Sequence, residues 1–571
     1  MRSDTSQTRI RVLGGGFVLT GLLLVLRLYF VQIVHGQEYV ADAMGQYVSA
    51  EQDTGARGNI FFTDKTGNAV AAAVMQTGWR LAITPKDIEN PQATFTALSA
   101  LTPMDQQRFF ASVAKKGDPY EEVAFRISDD AGKAIRAKKI PGVMLVQDQW
   151  RFYPAHELAS QAVGFVGYKG DKKTGVYGLE KYYNDTLVQK TDGAQMNPFA
   201  EIFANAQAIL STDPRAQQGS IITSIEPAVE RQLGDVLSKV METYSSKLSG
   251  GIVMDPKTGK IIAMALTPNF DPNTYNLVSD HSVFSNSLVE GRYEMGSIMK
   301  PLTMAAGMDS GAVSLHTTYN DTGCISVSGK KVCNFDFKAR GIVPMQEILN
   351  QSLNLGVSFV VGQMGHEKFS KYVSSLGFGE KTEVDLPDEV LGNIASLQTG
   401  SDIDYDTASF GQGIAVSPIE MTRALSTLAN GGVLPSPHVV TGIKYDSGLT
   451  RSISFPEGRR VFKQDSAEIV TNMLVKVFDT ALLHGELKQD HYSIAAKTGT
   501  AQIGIPGGGG YYADRYLHSF FGYFPAHDPK FIVFLFTVEP HGVQYASASL
   551  AHPFMDLAKY IINYYQIPPD R

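Results

Sequence analysis

An almost unbroken apolar run occupies residues 12–26, and the apolar character resumes after Arg27 with Leu28, Tyr29, Phe30, Val31, Ile33 and Val34. Taken as one helix, residues 12–34 span roughly 35 Å, enough to cross a bilayer. Arg27 falls near the outer end, where a long cationic side chain reaches the headgroups. Arg2, Arg9 and Arg11 precede the run and predict a cytoplasmic N-terminus. A cleaved signal peptide is the alternative, and it needs a small-residue cleavage site directly after the run. Arg-Leu-Tyr-Phe stands there instead, and the nearest A-x-A, Ala41-Asp-Ala43, lies too far downstream. The pattern predicts a tail at 1–11, a single-pass anchor at 12–34, and the remainder on the extracytoplasmic side, since no second run of that length follows.

After the anchor the pattern is mixed. Residues 35–225 read as a non-catalytic α+β domain rich in turn signals. Within it, 57–67 looks like a strand entering a tight turn, 103–138 is helix-rich, and 169–175 and 192–216 look like exposed connections. From 226 to 571 the periodicity sharpens. Val229, Leu233, Val236, Leu237 and Val240 recur at helical spacing. Residues 251–265 hold two apolar runs around Pro-Lys-Thr-Gly, a hairpin. A mostly helical stretch then extends to about 480. Three strand candidates follow, at 492–502, 517–524 and 531–538, and an amphipathic helix at 552–565 with Pro553 in its first turn. That order implies a five-stranded, mainly antiparallel sheet, terminal helices on one face, and a helical lobe between strands two and three.

Composition changes little. With 571 residues, 43% apolar and 19% charged, the chain is long enough for several domains and describes no polytopic membrane protein. A net charge of −7 argues against a broad nucleic-acid-binding surface. The twelve histidines show no metal-ligand spacing. The two cysteines are more informative. Cys324 and Cys333 lie symmetrically about Ser328-Gly329, and a two-residue hairpin there sets them opposite one another at disulfide distance. Two unrelated free thiols are the alternative.

Candidate chemistry comes from three short motifs in one order: Ser297-Ile-Met-Lys300, Ser352-Leu-Asn354 and Lys497-Thr-Gly-Thr500. Two of them also have stray copies: Ser-x-x-Lys at Ser112 and Ser328, Lys-Thr-Gly at Lys65, Lys173 and Lys257. Context separates them. The three stray Lys-Thr-Gly copies closely follow an aspartate in turn-like sequence, whereas Lys497 follows a predicted strand and Ser297 opens an apolar helix. A serine hydroxyl needs a base within hydrogen-bond reach, and residues three apart on a helix share a face. Lys300 can be that base if burial or a nearby cation lowers its pKa, and Lys497 can supply the cation. The helix start beneath Ser297 offers N–H groups where an oxyanion develops.

Ser-x-x-Lys, Ser-x-Asn and Lys-Thr-Gly in this order resemble the signature of penicillin-binding proteins and serine β-lactamases. Asp255-Pro-Lys-Thr-Gly-Lys-Ile-Ile-Ala-Met264, Pro268-Asn-Phe-Asp-Pro-Asn273, Phe410-Gly-Gln-Gly413, Ala429-Asn-Gly-Gly432 and Ser519-Phe-Phe-Gly-Tyr-Phe-Pro525 resemble the transpeptidase domain of class B penicillin-binding proteins. Arg57-Gly58, Arg151-Phe-Tyr-Pro154 and Gly175-Val-Tyr-Gly-Leu-Glu180 resemble that class's pedestal, a dimerisation-type domain. Met295 and Met299 depart from the family's usual Pro and Phe. The resemblance implies Ser297 as acylated nucleophile, Lys300 as general base, Ser352 as proton relay, and Asn354 holding the substrate amide and the lysines. It implies Lys497, Thr498, Gly499 and Thr500 around the donor carboxylate, with an oxyanion hole at the N–H groups of Ser297 and Thr500. Arg57, Arg151 and Glu180 are implied to form a structural ion-pair network. No cofactor is implied. The expected substrate is the D-Ala-D-Ala end of peptidoglycan stem peptides, and the expected inhibitors are β-lactams. The expected partners are a polytopic SEDS-type glycosyltransferase and other cell-division membrane proteins, in the inner membrane.

Hydrolytic use of the same site, as in a carboxypeptidase or β-lactamase, is the near alternative. The anchor and pedestal favour synthesis over secreted hydrolysis. A silent scaffold or β-lactam sensor is the rival of another class, and intact motif lysines and serines argue against it. Within class B, the run Gly507-Gly-Gly-Gly-Tyr-Tyr512 after Lys497-Thr-Gly and the short pedestal favour a septal role over an elongation role in the side wall.

Overall fold

The computed structural model describes residues 57–188 except 171, and 218–571 except 399, 446, 447 and 509, together with Gly21, Leu22 and Leu24. The anchor expected at 12–34 lies outside the described residues apart from those three, which are helical, as does the connection expected at 192–216. Among the described residues no helix is long and apolar enough to cross a membrane.

Residues 56–571 form one compact unit. Its first sheet runs across the boundary expected at 225/226. In order, the strands Thr450–Ser452, Val440–Lys444, Ser220–Thr223, Ile60–Thr63, Ala69–Ile83 and Glu121–Ile127 lie side by side, with Val143–Phe152 also paired to Ala69–Ile83. Ile60 meets Ile221 in parallel register, and Val440 meets Thr223. Backbone ladders therefore stitch the N-terminal half to the half that carries the motifs. Two local expectations change here. The stretch 103–138 holds helices Gln106–Ala114 and Asp129–Ala137 but also the strand between them, because Val123, Ala124 and Ile127 bury against the sheet. Residues 169–175 belong to a hairpin, Val166–Lys169 with Lys172–Gly175, so the stray Lys173-Thr-Gly175 copy sits on a strand rather than in a turn.

Charge is buried at the heart of this half. Glu180 is fully buried and takes Arg57 Nε on one oxygen and Arg151 Nε on the other, both at 2.6 Å. Arg57 also donates to the Glu180 carbonyl and Arg151 to the Gly58 carbonyl, both at 2.8 Å. Burial by itself would raise the carboxyl pKa; the two guanidiniums outweigh it and hold Glu180 below the usual range. Arg57, Arg151 and Glu180 thus form one buried ion-pair cluster.

The second sheet has five strands, β1 (Leu248–Met254), β2 (Ile261–Thr267), β3 (Ala495–Gly504), β4 (Tyr511–Phe524) and β5 (Phe531–Val538). Their order is β3-β4-β5-β1-β2, and every pairing is antiparallel. Alternation along β5 shows why a wholly apolar strand is needed. Phe531, Val533 and Leu535 face helices α1 (Pro227–Tyr244) and α4 (Ala546–Tyr565), while Ile532, Phe534 and Phe536 join the core shared with the helical lobe. That lobe contains α2 (Lys300–Asp309) and α3 (Asn354–Met364) and lies between β2 and β3 in sequence.

Helix α4 begins six residues before the expected start, which leaves Pro553 inside it. Proline there forfeits the bond to the carbonyl four residues back. Packing overrides that cost, because Ala546, Ser549, Leu550 and Ala551 are all fully buried. The first turns are also tied down: Ala546 N donates to Thr500 Oγ1, and Tyr244 donates to the Ala548 carbonyl.

Candidate active site

Ser297 stands on a single turn of tight helix, Gly296–Met299, that runs directly into α2 with Pro301 in its first turn. Its loop is pressed against the sheet. The Met295 carbonyl accepts from Ser519 Oγ on β4 at 2.8 Å, and a Cβ added to Gly296 would come within 2.8 Å of the Thr500 carbonyl. Gly296 also has φ +65°, which favours glycine on its own account. The opposite wall needs a glycine too: a Cβ at Gly499 would meet Ser519 Oγ at 2.3 Å and Met295 O at 2.6 Å. Gly499 thus lets β3 approach the Ser297 loop and is not among the residues lining the cavity, whereas Thr498 and Thr500 are.

Lys300 and Lys497 converge on one hydroxyl. Each Nζ lies 3.1 Å from Ser352 Oγ, and Lys300 also donates to the Ser352 carbonyl. Ser352 is held with φ +54°, an uncommon conformation for serine, at the turn just before α3. Lys497 donates in addition to the Thr498 carbonyl at 3.0 Å. Both amines are out of solvent, Lys300 at 0% and Lys497 at 3% exposure. Burial foremost, then the Lys497 charge, pushes Lys300 well below the ordinary lysine range. Burial brings Lys497 down to about 7. Two cations sharing a dry site cannot both hold a proton cheaply, so the pair supplies one amine in its neutral form at neutral pH.

Ser297, Ser352, Asn354, Lys497, Thr498 and Thr500 line one cavity of about 790 Å3. Lys300 sits beneath it. A second, more open cleft of about 810 Å3 beside His366 and Tyr405 contains none of them. Thr500 Oγ1 accepts from Ala546 N at 3.1 Å, which leaves its own proton to donate into the cavity. The N–H of Ser297 belongs to the first turn of its helix, where no intrahelical acceptor exists.

Asn354 lines the cavity from the first turn of α3. Its amide donates to the Cys333 carbonyl at 2.9 Å, and the contact to the two lysines is made by Ser352. Cys333 is itself covalently held. Cys324 and Cys333 face each other in the hairpin Cys324–Val327 with Lys330–Cys333 and are disulfide-bonded. Ser328 and Gly329 both take positive φ, as the two-residue turn requires. Next in the chain, Asn334 is buried, donates to both oxygens of Asp321 and accepts from Leu355 N, so the hairpin is bolted to the start of α3. The stray Ser-x-x-Lys copy at Ser112 is structural, with Ser112 and Lys115 both bonded to Glu121.

Several lining residues carried no motif. Gln412 and Thr407 come from the 407–413 segment, Tyr511 and Tyr516 from β4, and Tyr545 from the residue that caps α4. Phe410-Gly-Gln-Gly413 was a usable signal for the first group and the run 507–512 for Tyr511; nothing local marked Tyr516 or Tyr545.

Comparisons with known proteins agree with this geometry. Residues 250–559 match the model for the penicillin binding protein transpeptidase domain, and residues 52–201 that for the penicillin-binding protein dimerisation domain. The chain is 27% identical to stage V sporulation protein D of Bacillus subtilis, over 94% of this chain and 82% of that one. It is 24% identical to a peptidoglycan D,D-transpeptidase FtsI of Buchnera aphidicola, over 100% of this chain and 97% of that one. The crystal structure of penicillin binding protein 3 from Mycobacterium tuberculosis complexed with aztreonam has the same fold, with a TM-score of 0.67 at 20% identity, covering 91% of this chain and 98% of that one. With a buried lysine pair sharing one serine in the cavity that Ser297 lines, and a family match over more than half its length, the chain belongs to the penicillin-binding protein transpeptidase family, in its class B form with an N-terminal dimerisation domain.

Proposed function

We propose that the protein is a peptidoglycan D,D-transpeptidase that cross-links stem peptides through an acyl-enzyme on Ser297. The carrying observation is the convergence of Lys300 and Lys497 on Ser352 Oγ, 3.1 Å each, in the cavity that Ser297 lines. Neutral Lys300 takes the Ser297 proton as Oγ attacks the carbonyl of the penultimate D-alanine. The oxyanion develops at the N–H groups of Ser297 and Thr500. Ser352 then passes the proton to the leaving nitrogen, free D-alanine departs, and the acyl group remains as an ester on Ser297. Cationic Lys497, with the hydroxyls of Thr498 and Thr500, holds the terminal carboxylate. A β-lactam carries a carboxylate and a strained amide in the same relation and acylates the same oxygen. An amine of a second stem peptide takes the acyl group in the next half-reaction.

The apolar run at 12–34 supports placement in the cytoplasmic membrane with the catalytic half outside. The glycine run at 507–510 and the short pedestal favour septal synthesis, beside a SEDS-type glycosyltransferase, over side-wall elongation. Fluorescent penicillin tests the chemistry: labelling should vanish in Ser297→Ala and persist in Ser112→Ala and Ser328→Ala. Product analysis on a two-stem substrate separates cross-linked dimer from released D-alanine alone. Depletion followed by microscopy separates the roles, filaments for septal synthesis and spheres for elongation.

A further inference from the structure

Transpeptidation brings two substrates of opposite charge to one cavity. The donor carries a carboxylate, for which Lys497 is present. The acceptor carries an amine that is an ammonium at neutral pH and must lose a proton before it can attack the ester. Among the described residues lining the cavity there is no aspartate or glutamate, and the charged ones, Lys331 and Lys497, repel an ammonium.

One lining side chain is backed by a carboxylate. Tyr511, at the start of β4, donates its hydroxyl proton to Glu294, with the phenol oxygen 2.9 Å from one carboxylate oxygen and 3.2 Å from the other. Glu294 lies three residues before Ser297, on the same loop. That loop is fixed from behind: Tyr293 and Val416 exchange backbone hydrogen bonds at 2.9 Å, Gly296 N donates to the Gly411 carbonyl at 3.1 Å, and the Gly413 N–H serves the Glu294–Tyr511 pair. Glu294 is half-buried, and burial lifts its pKa above the usual carboxylate range, which improves it as a proton acceptor. With its proton committed to Glu294 and the Gly413 N–H on one lone pair, the Tyr511 oxygen keeps its other lone pair for a hydrogen bond from the cavity side.

We propose that Glu294 and Tyr511 form the acceptor-amine subsite, in which the Tyr511 oxygen receives the incoming ammonium and relays one of its protons to the Glu294 carboxylate. This rests on the transpeptidase reading above and assigns the second half-reaction to groups outside the three motifs. In that step the ammonium gives a proton to the Tyr511 oxygen as the Tyr511 proton moves to Glu294. The freed nitrogen lone pair forms the new C–N bond, the Ser297 Oγ–carbon bond breaks, and the nitrogen's second displaced proton returns to Ser297 Oγ through Ser352 and Lys300. Glu294 then releases its proton to solvent. The ligand class is a primary amine that is cationic in solution, such as the side-chain amine of a diamino acid in the acceptor stem.

The test uses the full chain, a thioester donor ending in D-alanine's acyl fragment, and a stem peptide with one free diamino-acid amine. Fluorescent penicillin is applied first: absence of labelling at Ser297 would defeat the transpeptidase reading itself. With labelling established, the ratio of cross-linked to hydrolysed product is measured for wild type, Glu294→Gln and Tyr511→Phe. The expected result is a fall in that ratio of at least about tenfold beyond any loss in acylation rate, partly restored by Glu294→Asp. Tyr511→Phe removes one hydroxyl from a partly exposed ring, so it remains informative if Glu294→Gln folds poorly. An unchanged ratio overturns the proposal. So does a proportionate fall in acylation and cross-linking, which would make the pair a pin for the loop before β4.

Discussion

Glu180 lies between two guanidiniums, and Lys300 lies beside another lysine. Both are fully buried, and both have pKa values held below the ordinary value. For Glu180 that shift means the charged form is stabilised: every oxygen has a cationic donor, and the cluster ties Arg57, Arg151 and Gly58 into one unit. For Lys300 the same direction of shift means the charged form is disfavoured, by burial and by Lys497. A buried charge with its complement holds a fold together; a buried charge with a like neighbour stores a reactive neutral base. Direction of shift therefore says nothing about function until the sign of the neighbouring charge is known.

The contrast can be broken most severely at the lysine. Lys300→Met keeps the side chain's bulk and deletes the amine, so penicillin acylation at saturating drug should fall by about three orders of magnitude or more while the melting temperature holds or rises. Stopped-flow or gel-based labelling measures the first and calorimetry the second. Retained acylation would remove Lys300 from the role of base.

Glu180→Gln should do the reverse. It strands two buried guanidiniums and should cost about 3–5 kcal/mol of stability, with labelling per folded molecule largely retained. Denaturant titration followed by penicillin labelling reads both. The pH signs follow from the shifts. Glu180, lowered in the folded protein, contributes stability above the ordinary carboxylate range and loses it as pH falls through its depressed value. Lys300 and Lys497 bind protons more readily in the unfolded chain, so their burial becomes less costly as pH rises toward the ordinary lysine range.

A covalent tie sharpens the comparison by adding stability without charge. The Cys324–Cys333 bond closes a short loop, so Cys324→Ser with Cys333→Ser should cost at most about 3 kcal/mol and leave penicillin labelling intact. Mass spectrometry of a non-reduced digest checks the bond, and a thermal melt checks its worth.

The smallest effect separates the two lysines from each other. In the proposed mechanism Lys497 binds the donor carboxylate as a cation, and burial brings its pKa to about 7, so that charge is lost above it. The second-order rate of acylation should therefore decline on the alkaline side of about 7, approaching tenfold per pH unit. Lys497→Arg keeps the charge and should flatten that limb while retaining measurable acylation. If Lys497→Arg is as inactive as Lys300→Met at saturation, Lys497 does more than bind.

Local information went far in this chain because several features depend on short spacing. Ser297 and Lys300 share a face whenever those residues are helical, and the positions about Ser328-Gly329 face each other whenever that turn forms. The strands of the catalytic sheet were readable because both of their faces are covered, which demands continuous apolar runs. Elsewhere local pattern misled: Pro553 looked like a helix start, and only burial of Ala546, Leu550 and Ala551 shows that the helix begins earlier.

What the sequence determined by itself was the identity and order of the chemical groups, the hairpin that sets the cysteines opposite one another, and the five-stranded framework. The tertiary structure decided everything that depends on residues distant in the chain. Lys497 reaches Ser352 across 145 positions, Tyr511 reaches Glu294 across 217, and Thr223 pairs with Val440 across the expected domain boundary. It also decided the state of the lysines. Desolvation and like-charge repulsion are properties of a packed environment, and no spacing of residues along a chain encodes them until the chain has folded.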